Sequence, residues 1–104
     1  MIDALKNLFN SKPPTDYKKL LQEGAIIVDV RTKGEYAGGH IKNSKNIPLD
    51  TLEKQLSQLK DKTQPIITCC ASGMRSGSAK RLLESKGYTN VYNGGGWASL
   101  NNKI

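Results

Sequence analysis

Apolar residues fall along the chain in two alternating rhythms. Continuous runs of about five residues, rich in β-branched side chains, suit strands covered on both faces, whereas apolar positions three and four apart mark one face of a helix. The runs are Ala25 to Val30, Pro65 to Cys69 and, more briefly, Ile47 with its neighbours and Asn90 to Tyr92. Between them lie helical patterns. Thr15 is placed to cap a first helix carrying Tyr17, Leu20 and Leu21 and ending at Gly24. Thr32-Lys33-Gly34-Glu35 has the spacing of a capping box and predicts a short helix. Asp50 with Glu53 reads as a second box, opening a helix whose face is Leu52, Leu56 and Leu59. Ser76 to Lys86 spaces Ala79, Leu82 and Leu83 on one face and stops at Gly87, and a last helix is expected around Trp97. Strands alternating with helices predict an α/β fold: a central, mostly parallel sheet with helices on both faces.

The chain has 104 residues, enough for one domain with one core. Ile2, Leu5, Leu8 and Phe9 share a helical face, so residues 1–14 read as an N-terminal helix and short linker, and 15–104 as the domain. That helix is expected to pack on the domain, with a partner or a membrane surface as the alternative. No apolar run approaches the ~18 residues of a membrane span, and Asp3 and Lys6 interrupt the N-terminus, making it a poor secretory signal. A cytoplasmic monomer is expected. The net charge is +7, from 13 Lys and 3 Arg against 9 acidic residues. The lysines are scattered, without aromatic interleaving or a nucleic-acid motif, so the reading is a solvated basic surface that attracts small anions and does not bind nucleic acid.

The candidate chemistry sits at Cys70-Ala71-Ser72-Gly73-Met74-Arg75-Ser76, between a strand pattern and a helix pattern. A strand–loop–helix turn gathers free backbone N–H groups into a cradle for an anion. A cysteine at the mouth of that cradle has its nucleophilic thiolate favoured. In open parallel sheets, ligands sit beyond the carboxyl ends of the strands, which is where Cys70 falls. Cys69, its neighbour in a strand, points to the opposite face and is read as packing, with a resolving thiol as the alternative. One His and a single Cys pair give no metal site, and no cofactor is expected.

This loop resembles that of the rhodanese family, roughly C-x-x-G-x-R-S after a buried strand. Asp29-Val30-Arg31, Glu35-Tyr36, Gly39-His40-Ile41 and Asn46-Ile47-Pro48-Leu49 are similar to the family's D-V-R…E-[FY]…G-H-I…N-I-P run. Gly87-Tyr88, Asn90-Val91-Tyr92, Gly94-Gly95 and Trp97 are similar to its closing block. The three occur in order across about Asp16 to Leu100. The chain departs from the pattern at Lys42 to Lys45, at Cys69 in place of a commoner aromatic, and at a Trp97 set closer to the glycines.

The resemblance implies a rhodanese-like three-layer fold and a single-domain sulfurtransferase. Cys70 would take sulfane sulfur from a small anionic donor such as thiosulfate and hold it as a persulfide. It would pass the sulfur to cyanide, a thiol or a sulfur-accepting protein. The alternative is a non-catalytic module that carries persulfide for a partner. Cys70 is the expected catalytic residue, with Ala71, Ser72, Gly73, Met74 and Arg75 binding substrate, chiefly through their amides. Arg75 has two readings, binding the donor's charge or tying the loop down. Ser76 is read as a helix cap, His40 and Trp97 as structural, and Asp29, Arg31 and Glu35 as a buried ionic network. Phosphatases of the cell-cycle dual-specificity type use a longer Cys-x5-Arg loop, and the four residues between Cys70 and Arg75 disfavour phosphate.

Overall fold

A computed structural model describes residues 14–104. The expected N-terminal helix lies outside the described residues. Four strands form one sheet in the order β2-β1-β3-β4, with every pairing parallel. They are β1 (Ile26–Asp29), β2 (Lys45–Asn46), β3 (Ile66–Cys70) and β4 (Val91–Gly96). The helices are α1 (Tyr17–Gln22), α2 (Lys33–Ala37), α3 (Leu49–Leu52), α4 (Met74–Ser85) and α5 (Trp97–Asn101).

The period-two alternation of the central strands divides the core. Val28, Val30, Ile66 and Cys70 face one side, where they meet Ile47, Leu52, Leu59, Ala79 and Leu83. Ile27, Ile67 and Cys69 face the other, with Ile41, Leu100 and the half-buried Tyr17, Leu20, Leu21 and Trp97. All five residues of β3 are buried, as a run apolar on both faces requires. β4 passes close to its neighbour at Gly94, where a Cβ would lie 2.8 Å from the Ile67 side chain and 2.9 Å from that of Leu100. No larger residue fits there without displacing the core.

Several boundaries differ from the sequence pattern for local reasons. Asp16, not Thr15, caps α1, because its carboxylate accepts from the Lys19 amide at 3.0 Å, and the helix ends at Gln22. The Thr32–Glu35 box forms as predicted. The second box does not form. Pro48 begins α3 with its fixed φ of −55°, placing Asp50 inside the first turn. The expected long helix breaks into α3 and a 3₁₀ segment, Glu53–Gln58, kinked at Gln55 where φ is −116°. β2 is Lys45–Asn46, just ahead of Ile47, and β4 runs on to Gly96 beyond the expected Tyr92.

Chain order sets the position of the site. After β1 the chain crosses through α2 to β2 on one side, and after β3 it crosses through α4 to β4 on the other. The carboxyl ends of β1 and β3 therefore border the point where the winding reverses, the natural crevice of such a sheet. The β1 end is braced by the buried pair Asp29–Arg31, closing at 2.7 Å. Arg31 also donates to the carbonyls of Glu35 at 3.3 Å and Gly39 at 2.7 Å, and stacks 4.7 Å from the Trp97 ring. Removing one partner strands a buried charge, so Asp29→Ala is expected to lower stability by about 3–5 kcal/mol. Thermal denaturation checks this; an unchanged melting point would show that the pair is not a brace.

Candidate active site

β3 ends at Cys70, one residue later than the apolar run suggested, and α4 begins at Met74, two residues earlier than expected. Three residues therefore make the whole turn. Gly73 adopts φ 102°, a left-handed conformation that glycine takes without strain, and its Cβ position is 3.4 Å from the Gly95 backbone. This reversal aims the first amides of α4 back at the strand end. The Cys70 sulfur accepts from the Gly73 N–H at 2.9 Å and from the Ser76 N–H at 3.3 Å, and lies 3.5 Å from the Ser76 hydroxyl.

Those contacts decide the direction in which the thiol's pKa moves. Burial alone would raise its pKa, but the hydroxyl and amide of Ser76 and the amides of Gly73 and Ser72 outweigh it and pull it below the ordinary value. Among the described residues, Cys69 has no such donors. Burial, aided by the nearby Asp29 charge, pushes its thiol up to about 12. The thiol pKa values of two consecutive cysteines thus move in opposite directions because one strand sends them to opposite faces. Cys70 is fully buried, so it lies on the floor of the cradle and not at its mouth, while Ala71 and Ser72 are exposed and Met74 is 81% exposed above it.

The structure distributes the sequence-predicted residues unevenly around the sulfur. Gly73 donates to it directly, and Ser72 is near enough to lower its pKa. Among the described residues, no hydrogen bond to the sulfur comes from Ala71, Met74 or Arg75. The Arg75 guanidinium lies in a two-pronged pair with Glu35 on α2, at 2.7 and 2.9 Å. The expected Asp29–Arg31–Glu35 network is therefore divided. Asp29 and Arg31 form a buried couple, whereas the Glu35 carboxylate turns to Arg75 and Arg31 reaches only its backbone carbonyl. His40 stacks on Tyr36 at 3.7 Å and its Nδ1 is 2.7 Å from the Tyr36 carbonyl oxygen.

Two residues were missed as parts of the site. Ser76 is not a cap; starting α4 at Met74 makes it the third helical residue, buried, with its free N–H aimed at the sulfur. The spacing from Cys70 would have revealed it had the helix start been placed correctly. Asn93, on β4, meets the Ser76 hydroxyl at 2.6 Å. It gives no sequence signal beyond a polar residue ahead of three glycines.

The rhodanese-like domain pattern matches residues 13–103, and the chain belongs to that family. It is 33% identical over 101 residues to the uncharacterized protein YqhL of Bacillus subtilis, covering 96% of this chain and 75% of that one. It is 32% identical to the thiosulfate sulfurtransferase GlpE of Pseudomonas fluorescens, covering 81% of this chain and 76% of GlpE. Among solved structures, the human single-domain sulfurtransferase TSTD1 superposes with a TM-score of 0.73 at 27% identity, over 89% of this chain and 99% of that one.

Two measurements test the geometry. The rate of Cys70 alkylation against pH is expected to reach half its maximum below the ~8.5 of a free thiol; an ordinary midpoint would remove the cradle's effect. Glu35 is held at about 2 by its bonds from Arg75 and then by the Thr32 amide. A depressed carboxyl pKa contributes stability above its unfolded value and loses it as pH falls toward the folded one. Glu35→Gln keeps a capping residue but not the charge. Its melting point is expected to lie below wild type at pH 6 and to converge on it as pH falls from about 4.3 toward 2. A constant gap across that range would assign the loss to something other than this ion pair.

Proposed function

We propose that the protein is a sulfurtransferase carrying sulfane sulfur from a donor such as thiosulfate to a thiophilic acceptor through a persulfide on Cys70. The observation that carries this is a buried sulfur at the sheet's switch point, held by two amides and a hydroxyl in a turn too short to wrap a phosphate. Kinship with thiosulfate sulfurtransferases supports the same reading.

In the first half-reaction the Cys70 thiolate attacks the outer sulfur of thiosulfate. The sulfur–sulfur bond of the donor breaks, sulfite leaves with its electron pair, and Cys70 carries a terminal persulfide anion. In the second, cyanide or a thiolate attacks that terminal sulfur and the Cys70 thiolate returns, so no external oxidant or base is required. The amides of Ala71 to Arg75 are proposed to meet the donor's anionic oxygens and the persulfide as the loop lifts. Lifting is needed because Cys70 is fully covered. Arg75, already paired with Glu35, fits holding the loop better than capturing the donor. Both cysteines are free thiols, which suits a cytoplasmic setting where thiols stay reduced.

The cover over Cys70 and the uncharged side chains at Ala71, Ser72 and Met74 favour one second reading, a persulfide carrier discharged by a dedicated protein. Thiocyanate formation from thiosulfate and cyanide separates the two. Repeated turnover that is lost in Cys70→Ser and kept in Cys69→Ala is expected. A single sulfur added to Cys70 by mass, resistant to cyanide and small thiols, would establish the carrier; activity surviving in Cys70→Ser would defeat both.

A further inference from the structure

The Ser76 hydroxyl carries one proton and has more than one claimant for it. Its oxygen lies 2.6 Å from Asn93 Oδ1, 3.1 Å from the Gly73 carbonyl and 3.5 Å from the Cys70 sulfur. The Gly73 carbonyl is already engaged by the Gly77 N–H at 3.1 Å and weakly by Asn93 Nδ2 at 3.4 Å. The Asn93 oxygen is held in orientation by the Gly95 N–H at 2.9 Å, so the amide cannot flip without orphaning that donor. While Cys70 is a thiol, the chain runs one way: S–H donates to Ser76 Oγ, and Ser76 O–H donates to Asn93. Once Cys70 ionises it has no proton to give, and the charged sulfur becomes the stronger acceptor for the same hydroxyl proton.

We infer that Asn93 is a positioning residue for the reaction: its side-chain oxygen competes with the Cys70 sulfur for the Ser76 hydroxyl proton and so sets how readily the nucleophile ionises. The hydroxyl turns toward the sulfur while it is a thiolate and back toward Asn93 when the sulfur is neutral, as a thiol or as the inner sulfur of a persulfide. Asn93 thus restrains the thiolate between turnovers. This rests on Cys70 being the nucleophile.

Other groups around Cys70 are fixed by partners of their own. They are Arg75 on α4 with Glu35 on α2 and Asp29 with Arg31 beyond β1, while Cys69 on β3 is a free thiol buried on the opposite face of the sheet. Asp50 on α3 borders the same cleft as Arg75, and Tyr88, after α4, donates to the Leu59 carbonyl at 2.6 Å. Among the described residues, none of these side chains hydrogen-bonds to Asn93.

The test is the pH profile of Cys70 alkylation in Asn93→Leu, which removes the acceptor at similar size. Its midpoint is expected to fall by about one unit, roughly tenfold more thiolate at a fixed pH below it. Asn93→Asp, a stronger acceptor, is expected to raise it. In a Ser76→Ala background the Asn93→Leu shift should disappear, because no hydroxyl proton remains to be contested. Should Ser76→Ala fail to fold, Ser76→Cys serves for that arm, its thiol being a weak donor. A midpoint that rises or stays fixed in Asn93→Leu while wild-type Cys70 titrates low would overturn the inference and leave the sulfur-transfer reading standing. A wild-type Cys70 that titrates as an ordinary thiol would overturn both.

Discussion

A buried thiol can ionise only if the protein itself solvates the anion, and this requirement organises the structure around Cys70. Water does not reach the residue, so the compensating charge comes from N–H groups at the start of α4. Those groups point at the sulfur only if the chain turns within three residues, which demands the left-handed Gly73. The turn in turn needs a rigid strand behind it and a helix that cannot shift. β3, buried along its whole length, supplies the first. Thr68 contributes to the second, donating from the strand to the Ser76 carbonyl at 2.9 Å and so pinning the first turn of α4.

The same requirement explains why the flanking strand end is heavily braced. Asp29, Arg31 and Asn46 tie β1 to β2 and to the segment after α2, with Asn46 donating to the carbonyls of both Asp29 and Arg31 at 3.0 Å. Glu35 then reaches from α2 to Arg75. Its Oε1 serves three partners: the Thr32 amide at 3.0 Å, the Thr32 hydroxyl at 3.1 Å and the Arg75 guanidinium at 2.7 Å. One carboxylate both starts α2 and anchors the loop, so the cradle is supported from two elements far apart in sequence.

Much of this was legible in the sequence where the physics is local. The β-branched run into Cys69 marked β3, the Thr32–Glu35 spacing marked α2, and alternation foretold that the two cysteines part company. The loop motif put the sulfur at the end of β3, though at the mouth of the cradle, where the structure has it on the floor. What could not be read depended on contacts between distant segments. The Arg75–Glu35 pair joins residues 40 apart, and the Ser76–Asn93 contact links a helix to the far strand. Ser76 was misassigned because a helix start shifted by two residues turns a structural cap into a sulfur ligand. The Leu52–Leu59 stretch kept its apolar face yet broke as a helix, since packing of those leucines is satisfied by a tighter, kinked path.

The opposed cysteines also determine how the protein meets oxidants. The thiol held down by amides is the one whose lowered pKa favours oxidation to a sulfenic acid once an oxidant gets beneath its cover, whereas burial pushes its neighbour's up to about 12 on the other side of the sheet. Because adjacent strand residues face apart, Cys69 cannot close a disulfide onto an oxidised Cys70 without dismantling β3. The damaged sulfur therefore has no rescuer within the described residues and must be reduced by a thiol from solution. Under the proposed function, recovery from oxidation would draw on the same kind of molecule that discharges the persulfide, so that small thiols would serve both working and repair.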